Sequence, residues 1–157
     1  MPEWIVKLFS ESYSKSEVEE IFKSFLEDKK LCVRVNLSKT NPDSITKALE
    51  LKGIAVEVSP FFDDILYLSD FSSINEIEEI SNGKLCIQDL SSAMVARLAG
   101  IKQHDTVIDV CAAPGGKSLH AADILNGSGK VLAFDISEAK LKLIENNKKL
   151  RDRKSVV

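Results

Sequence analysis

Long apolar runs are missing from this 157-residue chain. No stretch approaches the roughly 18 residues that a membrane span requires. No leader is expected either. The apolar start, Trp4 to Phe9, is short and broken by Lys7, which argues against a signal peptide and makes cytoplasmic the expected location. Cysteine is scarce: Cys32, Cys86 and Cys111 are odd in number and far apart. With no C-x-x-C pair and no His/Cys cluster, neither a disulfide framework nor a metal site is expected. Positive charge is not in excess. The net charge is −3, with 11 Lys+Arg against 17 Asp+Glu in residues 1–100 and 10 against 7 in residues 101–157. Charge alone therefore indicates no nucleic-acid partner. Repeats and low-complexity segments are absent from residues 1–80 as well. What is present, 44% apolar and 29% charged residues, is a soluble globular composition sufficient for one domain or two small ones.

Local patterns divide the chain. Trp4-Ile5-Val6 and Leu8-Phe9 form an apolar face with almost no preamble, which reads as the start of a chain cut from something longer. Ser16-x-x-Glu19 reads as a capping box ahead of Val18, Ile21, Phe22, Phe25 and Leu26, which recur at helical spacing. Leu31 to Asn36 alternates as a strand. Asn41-Pro42 opens a helix that runs to about Lys52, where Gly53 stops it. Ala55 to Ser59 and Ile65 to Leu68 read as further strands, and Ser73-x-x-Glu76 caps a short helix. Residues 1–80 thus predict a small α+β domain of two or three strands. Lys84 to Gln88 is a short strand or extended entry, followed by a helix through Leu90, Ala93, Met94, Arg97 and Leu98 that Gly100 ends. In the 81–157 part, the pattern from Asp105 onward is strand, helix, strand, helix. The strands are Thr106 to Val110 and Val131 to Asp135; the helices are about Lys117 to Leu125 and Ser137 to Leu150. That alternation predicts an α/β fold with a parallel sheet and right-handed crossovers. Ser155-Val156-Val157 reads as the start of a third strand. So few strands are too small for such a sheet, so the C-terminus reads as a truncation.

The densest signal is Val107-Ile108-Asp109-Val110-Cys111-Ala112-Ala113-Pro114-Gly115-Gly116-Lys117-Ser118. Val107 to Val110 reads as a buried strand. Ala112 to Gly116 carries no bulky side chain. Lys117 opens an amphipathic run with Leu119, Ala122 and Leu125 on one side. Strand, glycine turn and helix together open a nucleotide-type site. Glycine lets backbone approach a ligand closely, and a helix start offers free N–H groups and a positive dipole end. A second apolar run, Val131 to Phe134, ends in Asp135. An acid about 20 residues past the glycines is placed to accept hydrogen bonds from ribose hydroxyls. These features indicate an adenosine-containing cofactor without separating a dinucleotide from S-adenosyl-L-methionine. The spacing is not G-x-G-x-x-G, which counts against NAD. Gly115-Gly116-Lys117-Ser118 matches only the tail of a phosphate loop, which counts against ATP.

The run Cys111-Ala112-Ala113-Pro114-Gly115-Gly116-Lys117 resembles, nearly letter for letter, the cofactor motif of the 16S ribosomal RNA cytosine-5 methyltransferases of the RsmB/Sun family. Gln88-Asp89-Leu90-Ser91-Ser92 resembles that family's Q-D-x-(A/S)-S segment. Arg34-Val35-Asn36 with Lys39-Thr40 resembles its R-V-N-x-x-K-(T/S), and Pro2-x-Trp4 with Ser10 to Tyr13 resembles the entry to its RNA-side domain. The resemblance implies a truncated Rossmann-like S-adenosylmethionine-dependent methyltransferase fold behind a small α+β RNA-side domain. It implies S-adenosyl-L-methionine as methyl donor, with Cys111 to Lys117 around the methionine portion and Asp135 on the ribose. The implied partner is 16S ribosomal RNA with a cytosine target. In the family a cysteine attacks C6 of that cytosine so that C5 accepts the methyl group, a role that suits a thiolate. The family places its cysteines in T-C-S and P-C-S-G segments, which this sequence does not contain. They are expected past Val157, and an all-helical RNA-binding module before Met1, so this chain alone is expected to be inactive.

Plainer readings stand beside these. Cys111 reads as a wall of the cofactor pocket, not a nucleophile, and Cys32 and Cys86 as core residues. Lys117 touches the cofactor carboxylate or only caps the turn. Gln88 and Asp89 line the site or simply start a helix. Arg34 and Asn36 contact RNA or form a solvated strand end. His104 and His120 read as solvent-facing, and Lys148 to Lys154 as a solvated helix end. The rival functions are a non-catalytic RNA-binding module and a nucleotide-binding oxidoreductase.

Overall fold

The structure, a computed structural model, describes residues 1–27, 30–151 and 156. Contacts group the chain into two units, Met1–Lys30 and Leu31–Val157.

The first unit is a helix pair. α1 spans Glu3–Ser10 and α2 spans Lys15–Ser24. Phe9 of α1 meets Phe22 of α2 with ring centroids 5.5 Å apart, and Phe9 also stacks on Tyr13 at 5.9 Å. These aromatic contacts join two helices that are each short for independent stability. The capping box is not at Ser16. Ser14 caps α2, its hydroxyl accepting from Glu17 N–H while the Glu17 carboxylate accepts from Ser14 N–H at 2.8 Å. Both serines fit the S-x-x-E pattern. Ser14 has the extended backbone a cap needs, whereas Ser16 is already helical.

The second unit contains two sheets. The first has four antiparallel strands: β1 (Leu31–Val35), β2 (Ala55–Val58), β3 (Ile65–Ser69) and β4 (Leu85–Ile87), in the order β2-β3-β1-β4. α3 (Pro42–Glu50) connects β1 to β2, and a 3₁₀ turn at Ile74–Glu76 with α4 (Glu78–Ser81) connects β3 to β4. This is the split β-α-β arrangement of ferredoxin-like domains. Local signals set its elements. Asn41 caps α3 through Ser44 N–H with Pro42 at the first turn, and Ser73 accepts from Asn75 N–H. Residues 1–80 hold three of its strands, and the expected short strand after them, Leu85–Ile87, is the fourth, paired along β1 at Val33 to Val35. Val33, Val35, Leu49, Leu66 and Leu68 are fully buried in its core.

The second sheet is parallel. β5 (Thr106–Asp109) pairs with β6 (Lys130–Ala133) in register from Thr106↔Lys130 to Asp109↔Ala133, and Val131 forms a parallel bridge with Val156. The bridge falls within the run expected to open a third strand, whose neighbours lie outside the described residues. α5 (Leu90–Leu98) precedes β5, α6 (Gly116–Leu125) joins β5 to β6, and α7 (Glu138–Leu150) follows. Leu119, Ala122, Leu125, Val131 and Ile144 form the core.

Two expectations change here. β5 is not buried: Ile108 is 62% exposed, because side chains alternate between the two faces of the strand and the face carrying Thr106 and Ile108 is open. Nor is α6 amphipathic. Ser118, His120 and Ala121 are buried along with Leu119, Ala122 and Leu125, because α6 packs on α5 as well as on the sheet. A helix covered on several sides gives no clean stripe.

Candidate functional site

The site begins where β5 ends. The chain leaves the sheet at Asp109, turns through Val110 to Gly115 with a cis Ala113–Pro114 peptide, and enters α6 at Gly116. Gly115 has φ +103°, a backbone state that side chains other than glycine's strongly disfavour.

Three sets of bonds hold the turn. Asp109 Oδ1 accepts from Cys111 N–H at 3.2 Å, and Asp109 Oδ2 accepts from the Ser118 hydroxyl at 2.6 Å, so one carboxylate ties the turn to the first coil of α6. Ala112 N–H donates to Phe134 carbonyl at 3.0 Å and Phe134 N–H to Asp109 carbonyl at 2.8 Å, continuing the ladder past β6. Asp135 Oδ2 accepts from Ala113 N–H at 3.0 Å, and Asn147 of α7 donates to the Pro114 carbonyl at 2.8 Å. Asp135 is held below the ordinary carboxylate range, first by the Ala113 N–H, then by Ile136 N–H and Lys140.

Above the turn lies a cleft of about 230 Å³. Of the eight residues expected to hold a cofactor, Cys111, Ala112, Ala113, Pro114, Gly116 and Lys117 line it. Gly115 and Asp135 do not; Gly115 packs toward Leu119 and Ile144, and the Asp135 side chain is 1% exposed against the turn. The far wall is Ile87, Gln88, Asp89 and Ser92, at the end of β4 and the start of α5. Gln88 and Asp89 stood between a site role and a helix start, and both do line the cleft. The sequence signal that reaches Ser92 is the Gln88 to Ser92 run itself. Donors and acids share the space. Gly115 supplies no side-chain cap to the N–H groups at the positive end of α6, whose first residues, Gly116 and Lys117, line the cleft together with Asp89 and Asp109.

Other candidate residues fall elsewhere. Arg34 and Asn36 are neither solvated nor exposed to a partner, being 1% and 0% exposed. Arg34 is drawn inward by Asp123 of α6, with Nη1 to Oδ2 at 2.6 Å, and by Gln88 Oε1 at 2.9 Å. Asn36 donates to Gly83 carbonyl at 3.0 Å and accepts from Ser38. His120 is buried, not solvent-facing. Burial first, and then the Arg34 and Arg97 charges, pull its pKa down to about 3, so the ring is neutral. His104 is exposed. Arg151 is 8% exposed, so the basic end of α7 is not wholly solvated; Asp152 to Lys154 lie outside the described residues. Cys32 and Cys86 are buried as expected, while Cys111 is exposed in the turn.

A parallel β-α-β with a glycine turn at its first strand, a cleft over that turn and an acid after the second strand define a Rossmann-like nucleotide-type α/β protein. Behind a ferredoxin-like sheet, this is the architecture of an S-adenosylmethionine-dependent methyltransferase. Residues 1–75 match the RsmF/B-like methyltransferase ferredoxin-like domain, and residues 96–156 match the 16S rRNA methyltransferase RsmB/F family. The chain belongs to the RsmB/F methyltransferase family. It is 36% identical over 144 residues to the probable ribosomal RNA small subunit methyltransferase B of Bacillus subtilis, a match covering 92% of this chain and 32% of that protein. It is 33% identical to the tRNA (cytosine(72)-C(5))-methyltransferase of Pyrococcus horikoshii, covering 82% of this chain and 31% of that one. The crystal structure of a methyltransferase homolog from Pyrococcus horikoshii superposes with a TM-score of 0.79 at 26% identity, covering all of this chain and 55% of the other. The chain thus spans about a third of the length of the curated relatives it matches.

The cleft fits the adenosine-based methyl donor that this family implies. The side chain of Gln88 is buried with an unpartnered amide nitrogen beside it, and a Cβ at Gly116 would lie 3.9 Å from that nitrogen. The backbone is therefore open to a ligand at the mouth of α6, where the donor set of N–H groups and carboxylates suits an amino-acid end.

Proposed function

We propose that the chain forms the donor-binding part of an enzyme that transfers a methyl group from S-adenosyl-L-methionine to C5 of a cytosine in 16S ribosomal RNA. The observation that carries this reading is the cleft over Cys111 to Lys117, walled by Gln88 and Asp89, in a chain of the RsmB/F family. The donor supplies a methyl group on a sulfonium sulfur. The chain's own residues bind and orient. Cys111 to Lys117 surround the amino-acid end, and Asp109 fixes the turn through Cys111 N–H and Ser118. The ribose role expected of Asp135 requires its carboxylate, now buried against the turn, to release Ala113 N–H and open toward the cleft. No residue of this chain is assigned to attack the base. Cys32 and Cys86 are buried, and burial pushes the Cys32 thiol up, away from the thiolate form. Cys111 belongs to the donor pocket.

The RNA-side role is assigned to residues 1–80, whose sheet β4 (Leu85–Ile87) completes from beyond that boundary, and the working location is the cytoplasm. Among the described residues no helix is long and apolar enough to cross a membrane.

Titration calorimetry of the full chain with S-adenosylhomocysteine and with NAD tests the donor. Binding of S-adenosylhomocysteine alone is expected; binding of NAD alone overturns the reading. A gel shift with a 16S fragment and with transfer RNA, at two salt concentrations, tests the substrate class. A stronger, salt-sensitive shift with the 16S fragment is expected; preference for transfer RNA would replace the ribosomal target.

A further inference from the structure

Gln88 lies just past β4 and is 6% exposed. Its Oε1 accepts from Arg34 Nε at 2.9 Å. A guanidinium nitrogen only donates, so the amide oxygen must face Arg34 and the amide NH₂ must face away from it. Arg34 cannot swing aside, because Asp123 of α6 holds its other side at 2.6 Å in a buried pair. The Gln88 Nε2 group so directed has no hydrogen-bond partner among the described residues. It stands 3.9 Å from the point a Gly116 Cβ would occupy, on the wall of the cleft. A buried donor without an acceptor is unfavourable for the fold by itself. A second, independent feature lies at the same cleft: Gly116 and Lys117, which line it, begin ten-residue α6, whose first N–H groups have no side-chain cap. Asp89 and Asp109 lie in the same cleft. Donors together with carboxylates match a zwitterionic amino-acid group better than a bare anion.

We propose that Gln88 is a ligand-binding residue whose amide N–H, turned into the cleft by Arg34, donates to the carboxylate of the ligand's amino-acid end beside Gly116. Arg34 and Asp123 are positioning residues that act through it. The assignment rests on the methyl-donor reading above. It also explains why a buried arginine on one sheet, a glutamine after another strand and an aspartate on α6 form one chain of contacts ending at the cleft.

The test uses two ligands that share adenosine and a thioether but differ in the amino-acid end. S-Adenosylhomocysteine has the carboxylate; 5′-methylthioadenosine lacks it. Calorimetry on the full chain is carried out with the unaltered protein, Gln88→Ala and Gln88→Glu. Gln88→Glu keeps an acceptor for Arg34, which preserves the buried contact, and replaces the donor by a like charge. Both variants are expected to weaken S-adenosylhomocysteine by about ten- to a hundredfold, the range for a hydrogen bond to a charged group, and to leave 5′-methylthioadenosine within about twofold. An unchanged S-adenosylhomocysteine affinity in Gln88→Glu, or equal losses for both ligands, overturns the proposal. Binding of neither ligand by the unaltered protein overturns the methyl-donor reading and this inference together, and is seen before any substitution is made.

Discussion

Gly115 and Gly116 stand side by side, yet the structure gives them different reasons to be glycine. Gly115 has φ +103°; Gly116 is the first residue of α6 with an ordinary backbone. A Cβ at Gly115 would meet Leu119 Cδ1 at 3.4 Å and Ile144 at 3.6 Å, which are ordinary contacts, so the cost of Gly115→Ala is conformational. It should destabilise the chain by about 1–2 kcal/mol. For a chain of this size that lowers Tm by roughly 2–8 °C. A Cβ at Gly116 would meet only Gln88 Nε2 at 3.9 Å. Alanine is the better helix former by up to about 1 kcal/mol, so Gly116→Ala should leave Tm unchanged or raise it by a few degrees. Its methyl group would nevertheless stand in the cleft, where an overpacked contact costs about 1–3 kcal/mol, a loss of roughly 5- to 150-fold in ligand affinity. Thermal melts and calorimetry with S-adenosylhomocysteine on both variants separate the two cases. The reasoning fails if Gly116→Ala binds as tightly as the unaltered protein, or if its Tm falls as far as that of Gly115→Ala.

Two further predictions concern the buried polar layer beneath the cleft. His120 is neutral when folded, with a pKa of about 3 against an ordinary 6.5. Between those values the unfolded chain binds the extra proton, so stability falls as pH drops from about 6.5 toward 3. The shifted carboxylates, Glu17, Glu79 and Asp135, have ordinary values of 4.5 or below and contribute only at the lower end of that window. His120→Gln should therefore flatten the urea midpoint between pH 6.5 and 5, and a loss as steep as the parent's would refute the assignment. Asp123→Ala strands the Arg34 charge, whose side chain is 2% exposed, and should cost about 3–5 kcal/mol in urea unfolding. The double variant Arg34→Met with Asp123→Leu should lose less than Asp123→Ala alone. A double variant that is the less stable of the two would mean that the pair itself, and not its breaking, dominates.

The sequence by itself determined the elements whose causes are local. Asn41-Pro42 and Ser137 placed the starts of α3 and α7, and Val107 to Lys117 placed a strand, a turn and a helix mouth, because caps and glycine turns depend on residues a few positions apart. It also carried the family, through a run too particular to arise from propensity. Ser14 and Ser16 show the limit of such reasoning: both fit one pattern, and backbone conformation chose between them. The tertiary structure alone decided the rest. Leu85–Ile87 joins the first sheet because β1 offered it an edge, which a three-residue strand cannot announce. Arg34 and His120 look like surface residues in sequence. Arg34 is buried because Asp123 and Gln88, 89 and 54 residues away, supply the opposing charge and the acceptor, and His120 because α6 packs on α5 as well as on the sheet. Those long-range pairings leave no local periodicity. They also turn Gln88 toward Gly116, which makes the strand–turn–helix signal into a cleft with two walls.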